Sequence, residues 1–444
     1  MSATATGQNL SDLLPLQDTA FYKLDIDEVH ERLTEARAQA PVFWHEAGGF
    51  WVLLKHADQR WVGSNPDKFA SRFGFQIADS FPVEQVLPQL PDYAQERLKD
   101  PSLSRAEQRG IIARAKTSIG DPEIESVVTT DPPTHLQQRK LMTNALSPKL
   151  VRGLHGRLTE IVDEALDGVS PGDTVEFVDR TTKQIPPMVI ASLLGVPKED
   201  TADFIIYAEA FLATVILNVD DPEVAARNKR LAKAFSDYVT ELVALRRKEP
   251  GDDLVSGIVG GTLNGGPVPD KIAMMLVRSL IGGGSDTTRH LLSLTTEVFS
   301  RYPDQLAILR ERPELIPNAV QEVLRWCPLI WSEARTAVDD IELRGQQLKA
   351  GDFLVKVFPS ANRDEESWDR PFEFDVTRKF NVPTMAFGWG EHHCPGNPLA
   401  RTEAQIFLER MIERFPNGWE VVGTPERFTS SFINGLATMN VHFH

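Results

Sequence analysis

One long helical segment near the middle of the chain places the strongest constraint on the fold. The residue pattern predicts a single helix from about Pro269 to Arg301, with Pro303 as its stop signal. At roughly 1.5 Å of rise per residue, such a helix would be about 50 Å long and would cross the whole molecule. The rest of the chain must therefore pack around it.

The remaining segments predict more helices and only small sheets. Helical periodicity runs from about Leu150 to Arg246, broken by a turn at Ser170–Asp173. The segment Pro41–Leu54 contains Gly48 and Gly49 between two apolar runs, which predicts a β-hairpin. Short strands are expected within Leu343–Phe358, and a last helix is expected to begin near Pro398. We therefore expect a mainly α fold with small β-sheets (α+β).

Residues 80–130 are the least informative part of the sequence. They are rich in Pro, Asp, Glu and Arg and show little apolar periodicity. We expect a surface excursion there and not a second domain.

Composition excludes several classes of protein. The net charge of −16 disfavours nonspecific binding to nucleic acid or to an anionic membrane surface. The most apolar stretch, Phe204–Val219, contains Glu209 and is shorter than the roughly 20 residues of a membrane-spanning helix. We see no signal peptide in the first forty residues. Cys327 and Cys394 are the only cysteines, which excludes a disulfide framework and fits a reducing cytoplasm.

The most informative segment surrounds Cys394. It reads Phe-Gly-Trp-Gly-Glu-His-His-Cys-Pro-Gly-Asn-Pro-Leu-Ala-Arg over residues 387–401. Its three glycines predict backbone that turns tightly and comes close to a flat partner. Asn397 and Pro398 suit the cap and the first turn of a helix, whose positive end would stabilise a thiolate. A structural cysteine and a zinc site that includes His392 and His393 are the alternatives, although adjacent residues make a poor tetrahedral set.

This segment also resembles the heme-ligand signature of the cytochrome P450 family. The pattern F-G-x-G-x-H-x-C-x-G, continuing into L-A-R, matches at every fixed position. The resemblance implies that Cys394 is the axial ligand of a heme iron, as in the family. It also implies that Phe387 packs near the sulfur and that His392 contacts a heme propionate.

The long helix is interrupted by Gly282-Gly-Gly-Ser-Asp-Thr-Thr288. Glycine in a helix interior costs roughly 1 kcal/mol relative to alanine, so the sequence predicts a need for space or for distortion. The Thr287 hydroxyl can bond the carbonyl of Gly283, which would bend the helix and leave a groove. A tight helix crossing is the alternative reason for the glycines. The segment resembles the family's oxygen-binding motif, which implies that Thr287 bonds iron-bound dioxygen and that Asp286 gates proton delivery.

Two further motifs supply charged side chains. His135 and Arg139 are four residues apart and lie on one helix face, which suits the two carboxylates of a buried ligand. By resemblance they bind the heme propionates, and Arg335 matches a third arginine of that kind. Glu322 and Arg325 resemble the structural Glu–Arg pair of the family.

Arg378 is the candidate third member of that structural set.

The matching segments extend from residue 131 to residue 401 in the order of the family. Because one compact fold must bring them together, we expect a single domain over residues 1–444. By resemblance, the substrate pocket would be bordered by Phe204–Val219, which contains Phe211, and by three later segments. The residues of those segments are Leu280, Gly283, Gly284, Leu329, Ile330, Trp331, Phe432 and Ile433.

The resemblance implies a heme b enzyme that uses dioxygen to hydroxylate or epoxidise a hydrophobic small molecule of the terpenoid, steroid, fatty acyl or polyketide type. Oxidative coupling, ring closure or desaturation by the same machinery is one alternative, and a non-enzymatic heme-based ligand sensor is another. No flavin or iron–sulfur domain is recognisable, so we expect NAD(P)H to act only indirectly, through a ferredoxin or flavodoxin and its reductase. We expect a monomer whose basic contacts to that partner are Lys140, Lys149, Arg152, Arg378 and Lys379.

Overall fold

The predicted long helix is present and forms the centre of the molecule. The structure is a computed structural model that describes residues 9–117, 125–216 and 222–444. In it the central helix, α14, runs over the 32 residues Asp270–Arg301, a length of about 48 Å. Every residue from 290 to 299 is buried, so this half of the helix is covered on all faces. Polar side chains there bond their own helix, as when the Thr295 hydroxyl donates to the Leu291 carbonyl at 2.7 Å.

Helices account for most of the described chain. In chain order they are α1 (Leu10–Leu13), α2 (Ile26–Gln39), α3 (His56–Ser64), α4 (Val83–Val86), α5 (Asp92–Arg97), α6 (Arg105–Thr117), α7 (Thr134–Ala145), α8 (Pro148–Gly153), α9 (His155–Leu166), α10 (Ile185–Leu193), α11 (Thr201–Ile216), α12 (Pro222–Lys248), α13 (Leu254–Val259), α14 (Asp270–Arg301), α15 (Pro303–Glu311), α16 (Ile316–Trp326), α17 (Phe358–Ala361) and α18 (Asn397–Arg414).

The strands are short. They are β1 (Val42–His45), β2 (Phe50–Leu53), β3 (Phe69–Ala70), β4 (Thr174–Glu176), β5 (Thr262–Leu263), β6 (Gly266–Pro267), β7 (Ser332–Ala337), β8 (Ile341–Leu343), β9 (Gln346–Leu348), β10 (Phe353–Val357), β11 (Trp419–Arg427) and β12 (Leu436–Phe443). The largest sheet has the order β1-β2-β10-β7-β3, in which only β2 and β10 are parallel. A second sheet has the order β11-β12-β4, and two small ribbons pair β5 with β6 and β8 with β9.

Two apolar cores hold these elements together. The larger core surrounds the central helix, against which α10, α12, α13, α16 and α18 pack. The smaller core joins α2 to one face of the five-stranded sheet. The predicted mainly α fold with small sheets, the hairpin of β1 and β2 and the strands near Gly351 are confirmed.

The structure differs from the sequence-based expectation in two places. Strand β4 lies inside the segment predicted to be helical, where it pairs with residues 440–442 of β12. Residues 80–117 form short helices α4 to α6, whose apolar side chains Val86, Leu90, Ala94, Ile111, Ile112 and Ala115 make a small core of their own. That region is therefore built of packed helices and is not only a surface excursion, whereas residues 118–124 lie outside the described residues.

In residues 9–117, 125–216 and 222–444, no helix combines the length and the apolar character that crossing a bilayer requires.

Candidate active site around Cys394

The Cys394 loop is a closed turn that leads directly into α18. The Cys394 N–H donates to the Phe387 carbonyl at 2.9 Å, so the two ends of the predicted loop are joined. Gly388 has a φ of +70°, a left-handed conformation that favours glycine. The helix begins at Asn397, and the residue before it, Gly396, occupies the cap position. Asn397 is thus the first residue of the helix and not its cap, which corrects the expectation.

The glycines of this loop serve backbone approaches. A side chain at Gly390 would meet the backbone carbonyl of Gly63 on α3, because an added Cβ would lie 1.8 Å from that oxygen. Gly390 also has a φ of +89°. An added Cβ at Gly396 would lie 3.7 Å from the sulfur of Cys394. The loop therefore packs against α3 at one end and keeps the sulfur close to the start of α18 at the other.

The environment of the Cys394 sulfur acts on its ionisation in two directions. Burial raises the pKa of the Cys394 thiol above its ordinary value. Hydrogen bonds from the backbone N–H groups of Gly396 and Asn397 and the positive charge of Arg139 act to lower that pKa. These three groups favour the anion, which is the form that ligates a metal.

A set of basic side chains lies beside this loop. His135 and Arg139 project from α7, Arg335 from β7 and His392 from the loop itself. The His135 and His392 rings stack with centroids 3.9 Å apart, and the Arg139 guanidinium donates to the His393 carbonyl. The structure thus brings together the four residues that the resemblance assigned to the propionates.

The histidines of this set are held in the neutral form. Burial, followed by the charges of Arg139 and Arg335, lowers the pKa of His135 to about 4. Burial, followed by the charge of Arg335, also holds the pKa of His392 well below its usual range. The neighbouring Glu391 has a pKa raised to about 7, because it is buried and lies near Asp131.

His135 tests whether these residues fit a heme. Its side chain is completely buried, and within the described residues neither ring nitrogen has a hydrogen-bond partner. Buried polar groups nearly always have partners, so two orphaned nitrogens indicate a missing ligand group. Because Arg139 and Arg335 lie close to the same ring, the ligand group that fits is anionic. The residues present therefore suit the carboxylates of a heme whose iron Cys394 would ligate.

Ser71 is a functional candidate that the sequence analysis missed. Its hydroxyl is 3.0 Å from Nε2 of His392, and its N–H donates to the Asp131 carboxylate at 2.7 Å. It connects the Cys394 loop to the turn before α7. A lone serine just after the two-residue strand β3 carries no motif, so no sequence signal marked it.

The central helix carries the predicted hydroxyl bond. The Thr287 hydroxyl donates to the Gly283 carbonyl at 2.6 Å, as expected, although the helix continues unbroken through this point. A Cβ added at Gly283 would meet no heavy atom within 4 Å, whereas one added at Gly284 would lie 2.7 Å from Cδ1 of Ile190 on α10. Gly283 therefore leaves open space, and Gly284 serves the helix crossing. The need for space thus accounts for Gly283, and the tight helix crossing accounts for Gly284.

Asp286 has a partner that the sequence analysis did not identify. Its Oδ1 lies 3.1 Å from Nε of Arg289, one turn later in the same helix. The Arg289 guanidinium also lies over the Phe428 ring, 5.5 Å from its centroid. Both charged side chains are mostly shielded from solvent. The carboxylate is therefore paired by charge, without a hydrogen bond from Nε, to a cation that itself lies over a ring just after β11.

The two C-terminal segments assigned to the pocket meet in the structure. Ile330 and Ile433 form an isolated β-bridge, and the Trp331 N–H donates to the Phe432 carbonyl at 2.8 Å. The Asn434 N–H donates to the Leu329 carbonyl at 2.8 Å. These contacts join the start of β7 to the turn before β12.

The other pocket assignments fall in different surroundings. Leu280 is buried in the main core, and Phe211 is stacked on Phe235 of α12 with centroids 4.7 Å apart. The Trp331 ring packs on Tyr22 in the smaller core, with centroids 5.4 Å apart. Residues 217–219 of the segment Phe204–Val219 lie outside the described residues. A pocket role for these residues stays a prediction.

The structural charge set is completely buried. Arg325 donates to both carboxylate oxygens of Glu322, at 2.7 and 2.8 Å, and Nε of Arg378 donates to the same carboxylate at 3.0 Å. This confirms Arg378 as the third member of the set. The assignment of Arg378 as a basic contact to the electron-donating partner is wrong, because a side chain with 4% exposure cannot contact another protein. The other assigned contacts, Lys140, Lys149, Arg152 and Lys379, are exposed.

The chain is similar to known proteins in family, in sequence and in structure. The Cytochrome P450 family profile matches residues 209–433. Linalool 8-monooxygenase of Pseudomonas putida is 29% identical over 418 residues, covering 93% of this chain and 95% of that protein. Steroid C26-monooxygenase of Mycobacterium tuberculosis is 30% identical over 400 residues, covering 89% of this chain and 96% of that protein.

A solved structure extends the similarity to the fold. Cytochrome P450 CYP268A2 of Mycobacterium marinum in complex with pseudoionone superposes with a TM-score of 0.77 at 26% identity. The alignment covers 96% of this chain and 97% of that one.

Proposed function

Because this chain belongs to the cytochrome P450 family and is an oxidoreductase of the monooxygenase type, we propose that it is a heme-thiolate enzyme that hydroxylates or epoxidises a hydrophobic small molecule. Cys394 is the proposed iron ligand. The proposed heme is heme b, with its propionates bound by His135, Arg139 and Arg335. Bound heme supplies the redox-active iron that activates dioxygen.

The observation that carries this proposal is the pairing of Cys394 with the orphaned His135. One side chain offers a sulfur that accepts backbone N–H hydrogen bonds at the start of a helix, and the other offers two unpartnered buried nitrogens among cations. A zinc site of Cys394 and the adjacent histidines does not account for this arrangement, because His392 is stacked on His135 and bonded to Ser71. A metal porphyrin with two carboxylates accounts for both side chains, since its iron would bind the sulfur and a carboxylate would bind His135.

The central helix supplies the proposed proton-handling groups. The Thr287 hydroxyl lies beside the open space at Gly283 and is oriented by the Gly283 carbonyl. Asp286 adjoins it and is held by Arg289. Cleavage of the O–O bond consumes two protons, so an alcohol next to an oriented carboxylate suits delivery of protons from solvent. In this proposal the Thr287 hydroxyl, whose hydrogen is donated to the Gly283 carbonyl, accepts a hydrogen bond in that space and so positions the protons that Asp286 passes inward.

The proposed substrate class is terpenoid or steroid. The relatives named above act on linalool and on steroids, and one related structure contains pseudoionone. The residues assigned to the pocket are mainly apolar, including Leu280, Leu329 and Ile433. Apolar walls favour a ligand with few polar groups.

The proposed electron donor is a separate ferredoxin or flavodoxin, reduced by NAD(P)H through its reductase. Lys149 and Arg152 are exposed on α8, which packs against α18, the helix that follows Cys394. Exposed cations on an acidic protein suit an acidic partner. We place the protein in the cytoplasm as a monomer, and its two free cysteines suit a reducing compartment.

The first experiment is the difference spectrum of the reduced protein under carbon monoxide. The wild-type protein is expected to show the strongly red-shifted Soret band of a thiolate ligand, and Cys394→Ala is expected to lose it. Cys327→Ala is the matched control, because Cys327 is the other free cysteine and lies buried in the main core. A band typical of histidine ligation in the wild type, or a red-shifted band in Cys394→Ala, contradicts the proposal.

A second experiment tests the substrate class. A panel of terpenoids, steroids, fatty acids and polar aromatic acids is titrated into the ferric protein, and the spin-state change of the heme is recorded. The proposal expects saturable shifts with terpenoids or steroids. Shifts confined to polar acids contradict the substrate class and leave the heme assignment intact.

A further inference from the structure

Behind Arg335 the five-stranded sheet holds two further charged side chains. Glu333 and Arg335 are two residues apart on β7, so their side chains leave the same face of the sheet. Lys356 on β10 lies directly opposite Glu333 in the strand register. One carboxylate oxygen of Glu333 contacts the Arg335 guanidinium, and the other lies 2.8 Å from the Lys356 ammonium.

Lys356 occupies a position that ordinarily excludes lysine. Its side chain has 0% exposure, and among the described residues Glu333 is its one ion-pair partner. Burial lowers the pKa of Lys356 to about 8, although Glu333 acts to raise it. An ammonium that is buried to this degree is costly unless an anion compensates it. The buried ammonium therefore depends on the carboxylate of Glu333, which is the anion that it contacts.

The charges of this cluster do not balance. Arg335 and Lys356 are two cations that share the single carboxylate of Glu333. Arg335 also lies close enough to His135 and His392 to lower the pKa of each. Glu391 is a second carboxyl group near Arg335, but in the described part of the chain it makes no ion-pair contact with that guanidinium. The positive charge that Glu333 leaves unpaired is therefore next to the proposed propionate site, where a further carboxylate would neutralise it.

We propose that Lys356 is a positioning residue. It binds the second carboxylate oxygen of Glu333, so that Glu333 pairs with Arg335 through one oxygen only and part of the Arg335 guanidinium stays available to a heme propionate. This inference rests on the proposed function of the site. Without the ammonium, the Glu333 carboxylate would pair with Arg335 alone. A propionate would then compete with a buried carboxylate for the same guanidinium, and the two like charges would repel each other.

The charge of Lys356 acts on the iron as well. A buried cation near the heme disfavours the more positive ferric state, so its loss stabilises ferric heme. Replacing Lys356 by methionine, which is unbranched, uncharged and one atom shorter, should lower the reduction potential. A role confined to packing would leave the potential where it is.

The test uses the heme-loaded protein and the variants Lys356→Met, Glu333→Gln and the double variant. The rate of heme transfer to an excess of apomyoglobin is measured for each, together with the midpoint potential by spectroelectrochemistry. Lys356→Met is expected to lose heme about tenfold faster, a coupling of ordinary size for contacting charges. It is also expected to show a lower potential. The double variant is expected to return to within about twofold of the wild-type rate, because the competing carboxylate is gone.

Lys55→Met is the matched control. Lys55 is also a shielded lysine, paired with Asp364 at 2.9 Å, and its cluster contains none of the proposed heme-binding residues. Its loss is expected to lower the unfolding temperature while the midpoint potential stays unchanged. A drop in potential for Lys55→Met equal to that of Lys356→Met would overturn the assignment.

The remaining outcomes separate the two proposals. If wild-type protein retains heme and Lys356→Met releases it at the wild-type rate, the positioning role is wrong and the heme site stands. If wild-type protein binds no heme, the proposed function itself fails. Should Lys356→Met not fold, Lys356→Gln is measured in its place: faster heme loss that the added Glu333→Gln reverses supports the competition, and loss at the wild-type rate overturns it.

Discussion

The Thr287 hydroxyl donates a 2.6 Å hydrogen bond to the carbonyl oxygen of Gly283, four residues earlier in the central helix. The same glycine has open space where a side chain would stand. The hydroxyl is therefore fixed at the border of that space by its own helix. A hydroxyl that donates to its own helix in this way can accept a hydrogen bond from a group in that space without moving its backbone.

Thr287→Ala should separate electron consumption from product formation. We expect heme and substrate to bind as in the wild type, because the hydroxyl bonds only its own helix. Product formed per NADH should fall roughly tenfold, with hydrogen peroxide accounting for the missing electrons. The measurement is the product and peroxide yield in the reconstituted system. An unchanged product yield per NADH would show that Thr287 has no part in proton delivery.

The control for that variant is Thr295→Ala. Thr295 makes the same bond from its hydroxyl to the carbonyl four residues back, at 2.7 Å, in the buried half of the same helix. Its loss should change stability slightly and leave the product yield per NADH intact. An equal loss of yield in both variants would point to a general effect on the helix.

The pair of Asp286 and Arg289 leads to a graded prediction. Asp286→Asn should slow turnover about a hundredfold, because an amide does not relay protons as a carboxylate does. Arg289→Met keeps the carboxylate but removes the cation 3.1 Å away, so it should slow turnover by only about tenfold. Both should raise the solvent deuterium isotope effect on turnover.

The matched control is Arg301→Met. Arg301 is in the same helix and also pairs with an aspartate, Asp27, at the far end. Its loss should leave the isotope effect unchanged. If Arg289→Met behaves like this control, Arg289 has no positioning role.

The sequence predicted those parts of the molecule whose causes are local. The central helix followed from periodicity and a proline stop, and the bond from Thr287 to Gly283 followed from helix geometry. The family motifs marked residues from distant segments that the structure brings together, such as His135, Arg335 and His392.

The parts that were missed depend on partners far away in the chain. Strand β4 forms because residues 440–442 offer it an edge, and its own residues carry no strand pattern. The helices within residues 80–117 are stabilised by a small core that they make with one another. The buried charge of Lys356 is set by Glu333 on a neighbouring strand, and nothing in the sequence around it indicates burial.

The glycines of the central helix should respond in opposite ways to alanine. Gly283→Ala is expected to raise stability by about 1 kcal/mol through helix propensity, since nothing stands in its way. The new methyl group occupies the space beside Thr287, so substrate should bind more weakly. Thermal unfolding and spin-state titration measure the two effects. A variant that is both more stable and unchanged in substrate affinity would show that this space is not part of the pocket.

Gly284→Ala tests the helix crossing. Its methyl group would lie 2.7 Å from Cδ1 of Ile190, so α10 or that side chain must shift, which typically costs about 1–3 kcal/mol. Adding Ile190→Val removes the clashing atom and should recover most of the lost stability. If the double variant is no more stable than Gly284→Ala alone, the glycine is needed for some reason other than Ile190.

Glu403 should make the stability of the folded protein depend on pH. It is buried on α18, and its Oε2 has no hydrogen-bond partner among the described residues. Burial raises the pKa of Glu403 from 4.5 to about 8. A raised pKa means that the full stability contribution is present below about pH 4.5 and is lost as pH rises through about 8. Glu403→Gln removes this dependence, because its amide does not ionise.

Urea unfolding of both proteins should show the free energy of unfolding of the variant rising by roughly 3 kcal/mol relative to that of the wild type between pH 5 and pH 8. Glu413→Gln, exposed on the same helix, should show no such trend, and a pH-independent difference for Glu403→Gln would mean that Glu403 is already ionised in the folded protein at pH 5.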